Sequence, residues 1–174
     1  MVRAAAIVSG NGAELQNLLD GLIFGEIADF SLAALVATEA ESPALRRGEG
    51  AHIPVYTVDA QIFPNPETYT RALTAKLLDL DIDAAIAVTL SPEPGREFYR
   101  AFAGRCICLR ISEGGSDFTA TALLADADGS EVRRFGRVRA EKSAGADPRR
   151  GLIEAGAGEL LTDAVKQYMR EYHG

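Results

Sequence analysis

Apolar positions in this chain follow two rhythms that alternate along its first two-thirds. Residues 2–8 are a short apolar run, and the run ends in Gly-Asn-Gly. Leu15, Leu18, Leu19, Leu22 and Ile23 then recur at helical spacing, which predicts an amphipathic helix with one apolar stripe. The stretch FSLAALVAT (30–38) is continuously apolar, as expected of a strand covered on both faces. A short helix over 41–52, with Pro43 near its first turn, and a strand at 53–58 follow. Residues 66–80 place Tyr69, Leu73, Leu77 and Leu80 on one helical face, and 83–90 read as a fourth strand. Residues 91–104 predict a helix that is established by Glu97, and RCICLRI (105–111) predicts a fifth strand. Strands alternating with helices imply a parallel sheet wrapped on both sides.

The rhythm then changes. Residues 117–125 and 131–140, joined by the turn DADGS, read as a β-hairpin. Asp147-Pro148 opens a long C-terminal helix whose stripe runs through Leu160, Leu161, Ala164, Val165, Tyr168 and Met169. The expectation is one α/β domain over residues 1–174. Ligands of such open sheets bind beyond the carboxyl ends of the strands. That edge would gather the 9–14 loop, Thr38-Glu39, and residues 89–95 and 110–116.

Composition narrows the classes. A length of 174 residues, 47% of them hydrophobic, suits an ordinary soluble core. No apolar run reaches the roughly 20 residues of a membrane span, and the first apolar run is too short for a signal peptide, so a cytoplasmic protein is expected. A net charge of −7 argues against nucleic-acid partners. Cys106 and Cys108 lie two apart in a strand and so share a face. Reduced, buried and metal-free thiols are the expectation, because strand neighbours are poor disulfide partners and two ligands do not make a zinc site. His52 and His173 are the only histidines, and neither completes a nucleophilic triad. Arg133, Arg134, Arg137 and Arg139 read as the charged guard of an edge strand.

The loop SGNGAELQ supports two readings equally. Gly10, Asn11, Gly12 and Ala13 lead into a helix N-terminus, whose free amides and dipole suit an anion. Asn11 and Glu14 also fit a variant of the capping box, in which the loop only ends a helix. The loop lacks the third small residue of a dinucleotide fingerprint, where Leu15 stands, and the lysine of a P-loop.

Several stretches together resemble the glycinamide ribonucleotide formyltransferase family. IVSGNGAELQNLL is similar to its first strand, phosphate loop and helix. LVATEAESPALRRGEGAHIPVYTVD is similar to its second strand, helix and third strand, and FYRAFAGR to the helix before its catalytic strand. The turn DADG resembles its aspartate loop. The resemblance implies a Rossmann-like formyltransferase fold, mostly parallel, with a C-terminal β-hairpin and helix. It also implies a role in purine biosynthesis, a phosphorylated small-molecule partner held by Gly10 to Ala13, and 10-formyltetrahydrofolate as the formyl donor if the protein is active.

In that family an asparagine and a histidine stabilise the oxyanion and an aspartate assists proton transfer. By the resemblance, the asparagine position falls on Cys108, the histidine position on Arg110, and the aspartate on Asp128. Cysteine is a poor amide substitute, and arginine does not shuttle protons near neutrality. The expected function is therefore a formyltransferase-family protein with transfer lost or altered. Two alternatives stand beside it: a non-catalytic protein binding a small anion or nucleotide, and a nicotinamide-dependent oxidoreductase in which Glu39 would hold the ribose. A homodimer is left open as the assembly.

Overall fold

The computed structural model describes residues 1–142 and 147–172. Seven strands form one sheet in the order β3-β2-β1-β4-β5-β6-β7. They are β1 (Val2–Val8), β2 (Phe30–Ala37), β3 (Val55–Thr57), β4 (Ala84–Val88), β5 (Cys106–Gly114), β6 (Asp117–Ala125) and β7 (Glu131–Glu141). The first five run parallel, and β6 and β7 each run antiparallel to the strand before. The α-helices of the described residues are α1 (Ala13–Ile23), α2 (Ala44–Gly50), α3 (Pro66–Asp79), α4 (Arg96–Ala101), α5 (Pro148–Glu154) and α6 (Ala157–Tyr172). Among the described residues no helix is long and apolar enough to cross a membrane.

The continuous apolar runs of β1, β2 and β4 are buried on both faces because helices cover both. Alternation along β1 sends Ala4, Ala6 and Val8 into one core with Leu15, Leu18, Leu161, Val165 and Tyr168. Ala5 and Ile7 enter the other, with Leu73, Leu77, Phe98 and Phe102. Thus α1 and α6 cover one face, and α3 and α4 the other.

Four elements depart from the sequence expectation. The stripe of α1 ends early: Leu22 is half-buried and Ile23 is exposed on the last turn. The helix expected over 91–104 is confined to six residues in α4. The single C-terminal helix is two, because Gly156 takes φ +105 between α5 and α6. Asp147 does cap α5, accepting from the Arg149 N–H at 3.0 Å. Finally, β5 runs on to Gly114 and turns straight back into β6, so the expected hairpin is the second half of a three-stranded meander. His173 lies outside the described residues.

Burial of aromatic hydroxyls makes the fold sensitive to alkali. Tyr69 is sealed under α3, its hydroxyl has no hydrogen-bond partner, and burial pushes its pKa up to about 12. Burial also pushes Tyr168 up to about 12. In the unfolded chain tyrosine ionises near about 10. The native state therefore holds protons that the unfolded state has released, and stability falls as pH rises from about 10 to about 12. Urea unfolding should show full stability at about pH 8 and a clear loss by about pH 11. Unchanged stability over that range would contradict the buried, protonated state of these rings.

Candidate functional site

The carboxyl ends of β1, β2, β4 and β5 meet along one edge of the sheet, and the strand order reverses between β1 and β4. A hydroxyl cluster joins the strand ends there. Ser9 Oγ and Thr38 Oγ1 are 2.6 Å apart, and Ser9 Oγ accepts from the Ser91 N–H at 3.0 Å. Thr89 Oγ1 donates to the Ser9 carbonyl at 3.2 Å. This network fixes the loop after β1 against the segment after β4.

Two amides of the glycine loop, those of Gly10 and Ala13, carry side-chain acceptors. Glu39 Oε1 accepts from the Gly10 N–H at 2.7 Å, and Asn11 Oδ1 accepts from the Ala13 N–H at 2.8 Å. Ser42 Oγ donates to the Gly10 carbonyl at 2.9 Å, and Arg47 Nε to the Asn11 carbonyl at 2.9 Å. Gly10 and Gly12 both have positive φ, which explains the glycines. A Cβ at Gly12 would also sit 2.9 Å from the Ala44 Cβ of α2.

Glu14 does not return to Asn11, so the capping-box variant is not formed. Its side chain is buried, with Oε2 lacking any hydrogen-bond partner. An internal carboxylate, Glu39, thus stands where an external anion was expected to meet the loop. The same bond takes the carboxylate that the oxidoreductase reading reserved for a ribose.

Beside this loop, a cleft of about 360 Å³ opens between the ends of β4 and β5, lined by Thr89, Leu90, Ser91, Glu93, Arg110, Ile111 and Arg149. Arg110 stands near the end of the parallel pairing of β5, on the α4 face. Its guanidinium lies over the Tyr99 ring at 5.5 Å, and Nε is 3.4 Å from Glu93 Oε1, though not aligned as a hydrogen bond. Tyr99 donates its phenol to the other Glu93 oxygen. Burial opposes the charge on Arg110, but Cys108, Tyr99 and Glu93 outweigh it and hold its pKa up. Tyr99 is raised by burial first, and then by Cys108 and Glu93. Neither group titrates near neutrality.

Arg149 reaches the cleft from α5. Its Nη1 donates to the Ser9 carbonyl at 3.0 Å and its Nη2 to the Thr89 carbonyl at 3.4 Å, bridging the ends of β1 and β4. A Cβ built on Gly10 would fall 1.5 Å from Arg149 Nη1, so Gly10 is also the residue that admits this guanidinium. Nothing in the local sequence marks Arg149, because its partners lie 60 and 140 residues away along the chain.

Of the three positions carried over for catalysis, Cys108 and Arg110 meet, Arg110 Nη2 donating to Cys108 Sγ at 4.0 Å, while Asp128 stands apart. Cys108 is buried beside Cys106, with the sulfurs 3.6 Å apart on the shared face, and it does not line the cleft. A hydrogen bond with Cys108 and burial both hold the Cys106 thiol protonated. Among the described residues no cluster of three or more potential ligands could hold a metal.

Asp128 lies at the other edge of the sheet. Register pairs Arg110 with Thr121 but Cys106 with Ala125, so the 126–130 turn sits beyond the amino end of β5. Four residues at the strand rise separate the two levels by roughly 13 Å. Asp128 is exposed and caps its own turn, accepting from the Ser130 N–H at 3.0 Å and the Ser130 hydroxyl at 2.6 Å. Those bonds hold its carboxyl below the usual range. Arg110 pairs with Glu93 instead.

No protein-family model matches the chain, and no curated protein matches it. Solved structures do. The chain superposes on glycinamide ribonucleotide transformylase 1 from Symbiobacterium toebii with a TM-score of 0.75 and 20% identity, covering 98% of this chain and 88% of that one. For phosphoribosylglycinamide formyltransferase from Bacillus halodurans the TM-score is 0.79 at 14% identity, covering 97% and 96%. A formyltetrahydrofolate deformylase from Pseudomonas putida KT2440 gives 0.76 at 17% identity, with 97% of this chain matched to 65% of that one. At these identities the likeness establishes the fold: a Rossmann-like formyltransferase fold, mostly parallel, with an antiparallel C-terminal edge.

Proposed function

We propose that this chain is a divergent member of the formyltransferase family that binds a small phosphorylated ligand at the carboxyl edge of its sheet and does not transfer a formyl group. One observation carries the second half. The family's asparagine and histidine positions hold a core thiol and an arginine paired with Glu93, and a guanidinium does not shuttle protons near neutrality as the family's histidine does. The first half is supported by two guanidinium groups converging on a cleft beside the strand-order switch. 10-Formyltetrahydrofolate enters as a cofactor only under the second reading, an active transferase, which the transformylase and formyltransferase names of the Symbiobacterium and Bacillus neighbours favour.

Titration of the protein with glycinamide ribonucleotide and with inorganic phosphate, followed by NMR of the backbone amides, tests the binding half. Saturable shifts confined to the Ser9–Ala13, Thr89–Glu93 and Arg110–Ser112 segments and the Arg149 amide are expected. Shifts elsewhere, or none with either ligand, would remove the support for a phosphorylated partner.

A further inference from the structure

Both sides of Gly10 could receive an anion, and the structure distinguishes them. On the β2 side, the Gly10 and Ala13 amides carry acceptors from Glu39 and Asn11, and the Glu39 carboxylate seated there opposes a second anion by like charge. On the β4–β5 side stand Arg149 and Arg110. We propose that the anion seat of this chain is the Arg149–Arg110 pair and not the amides of the glycine loop, with phosphate or a phosphate monoester as the ligand class. The proposal rests on the reading of the carboxyl edge as a phosphate-binding site and moves its centre across Gly10.

Arg149 is the anchor. Its two contacts are both carbonyls, and among the described residues no carboxylate pairs with it. Two neutral acceptors orient a guanidinium without cancelling its charge. The remaining N–H groups of that planar fork are free for an oxyanion, the geometry arginine binds best. The bridge from Ser9 to Thr89 also places the charge at the strand-order switch, held by backbone and by the Asp147 cap of α5.

Arg110 is the second cation, and it is held in reserve. Glu93, half-exposed, lies 3.4 Å from Arg110 Nε and takes the Tyr99 hydroxyl on its other oxygen. A phosphate entering the cleft meets Arg149 directly and competes with Glu93 for Arg110. Glu93 therefore weakens binding by like charge, while Glu39, engaged on the far side of Gly10, leaves it unchanged.

The test is isothermal titration of the full chain with inorganic phosphate at low salt, with a thermal melt of each variant. Arg149→Gln is expected to weaken binding about tenfold or more, as loss of a charge-assisted contact does. Arg110→Gln should weaken it too, Glu93→Gln should tighten it, and Glu39→Gln should leave it within about twofold. Should Arg149→Gln unfold the chain, Arg110→Gln and Glu93→Gln, with their opposite signs, still decide the matter. If both arginine variants bind like the parent while Glu39→Ala tightens binding, the loop is the seat: the proposal falls and the phosphate-binding reading stands. If the parent chain binds no phosphate, both fall.

Discussion

Formyl transfer from 10-formyltetrahydrofolate to glycinamide ribonucleotide is expected to run at least about ten-thousandfold below an ordinary enzyme turnover of about 10 per second. Loss of one oxyanion donor typically costs a hundred- to a thousandfold, and loss of a proton-transfer group about a hundredfold or more, though such losses are not additive. The structure makes the loss deeper than a substitution table implies. Cys108 is buried in the α3–α4 core behind Arg110, whose Nη2 donates to its sulfur at 4.0 Å, and it does not line the cleft itself. Asp128 stands at the opposite edge of the sheet, bound to Ser130, so Asp128→Asn is expected to change neither turnover nor ligand affinity. Steady-state assay at saturating substrates checks both statements. Turnover in the ordinary range, abolished by Asp128→Asn, would mean that the turn reaches the chemistry after all.

The second large effect concerns the arm that carries Glu93 and Tyr99. Six residues of helix are too few to hold themselves, so α4 stands by packing alone. Phe98 is its anchor: fully buried, edge-on to Tyr99 at 5.1 Å and against Phe102 at 5.5 Å. Phe98→Ala is expected to cost about 3–5 kcal/mol, a large share of the roughly 5–15 kcal/mol that holds a domain of this size. Because Tyr99 and Glu93 flank that anchor, phosphate affinity should change with it. Denaturant unfolding of the variant gives the number, and a loss under about 1 kcal/mol would show that α4 is fixed by something other than this ring.

Much of the frame was legible because burial on both faces leaves a plain mark. The unbroken apolar runs of β1, β2 and β4, and the stripe of α3, placed those elements directly. The two-residue spacing of Cys106 and Cys108 placed both thiols in one core. The misplacement of Asp128 came from strand direction. A parallel return after β5 needs a crossover of a dozen or more residues. Only Gly115 and Ser116 separate β5 from β6, so β6 had to run back down and carry the 126–130 turn away from Arg110. That signal was present in SEGGSDF and outweighs the likeness of a four-residue turn. Arg149 and Glu39 left no such mark. Each acts on the glycine loop through a long-range contact, Arg149 on the Ser9 carbonyl and Glu39 on the Gly10 N–H, and neither contact has a periodicity to betray it.

The most direct test of binding without transfer is to incubate the protein with equimolar glycinamide ribonucleotide and excess 10-formyltetrahydrofolate, separate the bound fraction, and determine by mass spectrometry what it holds. The account predicts that the nucleotide is retained and recovered unformylated. Formylated nucleotide in stoichiometric amount, or a protein that retains no nucleotide, would contradict it.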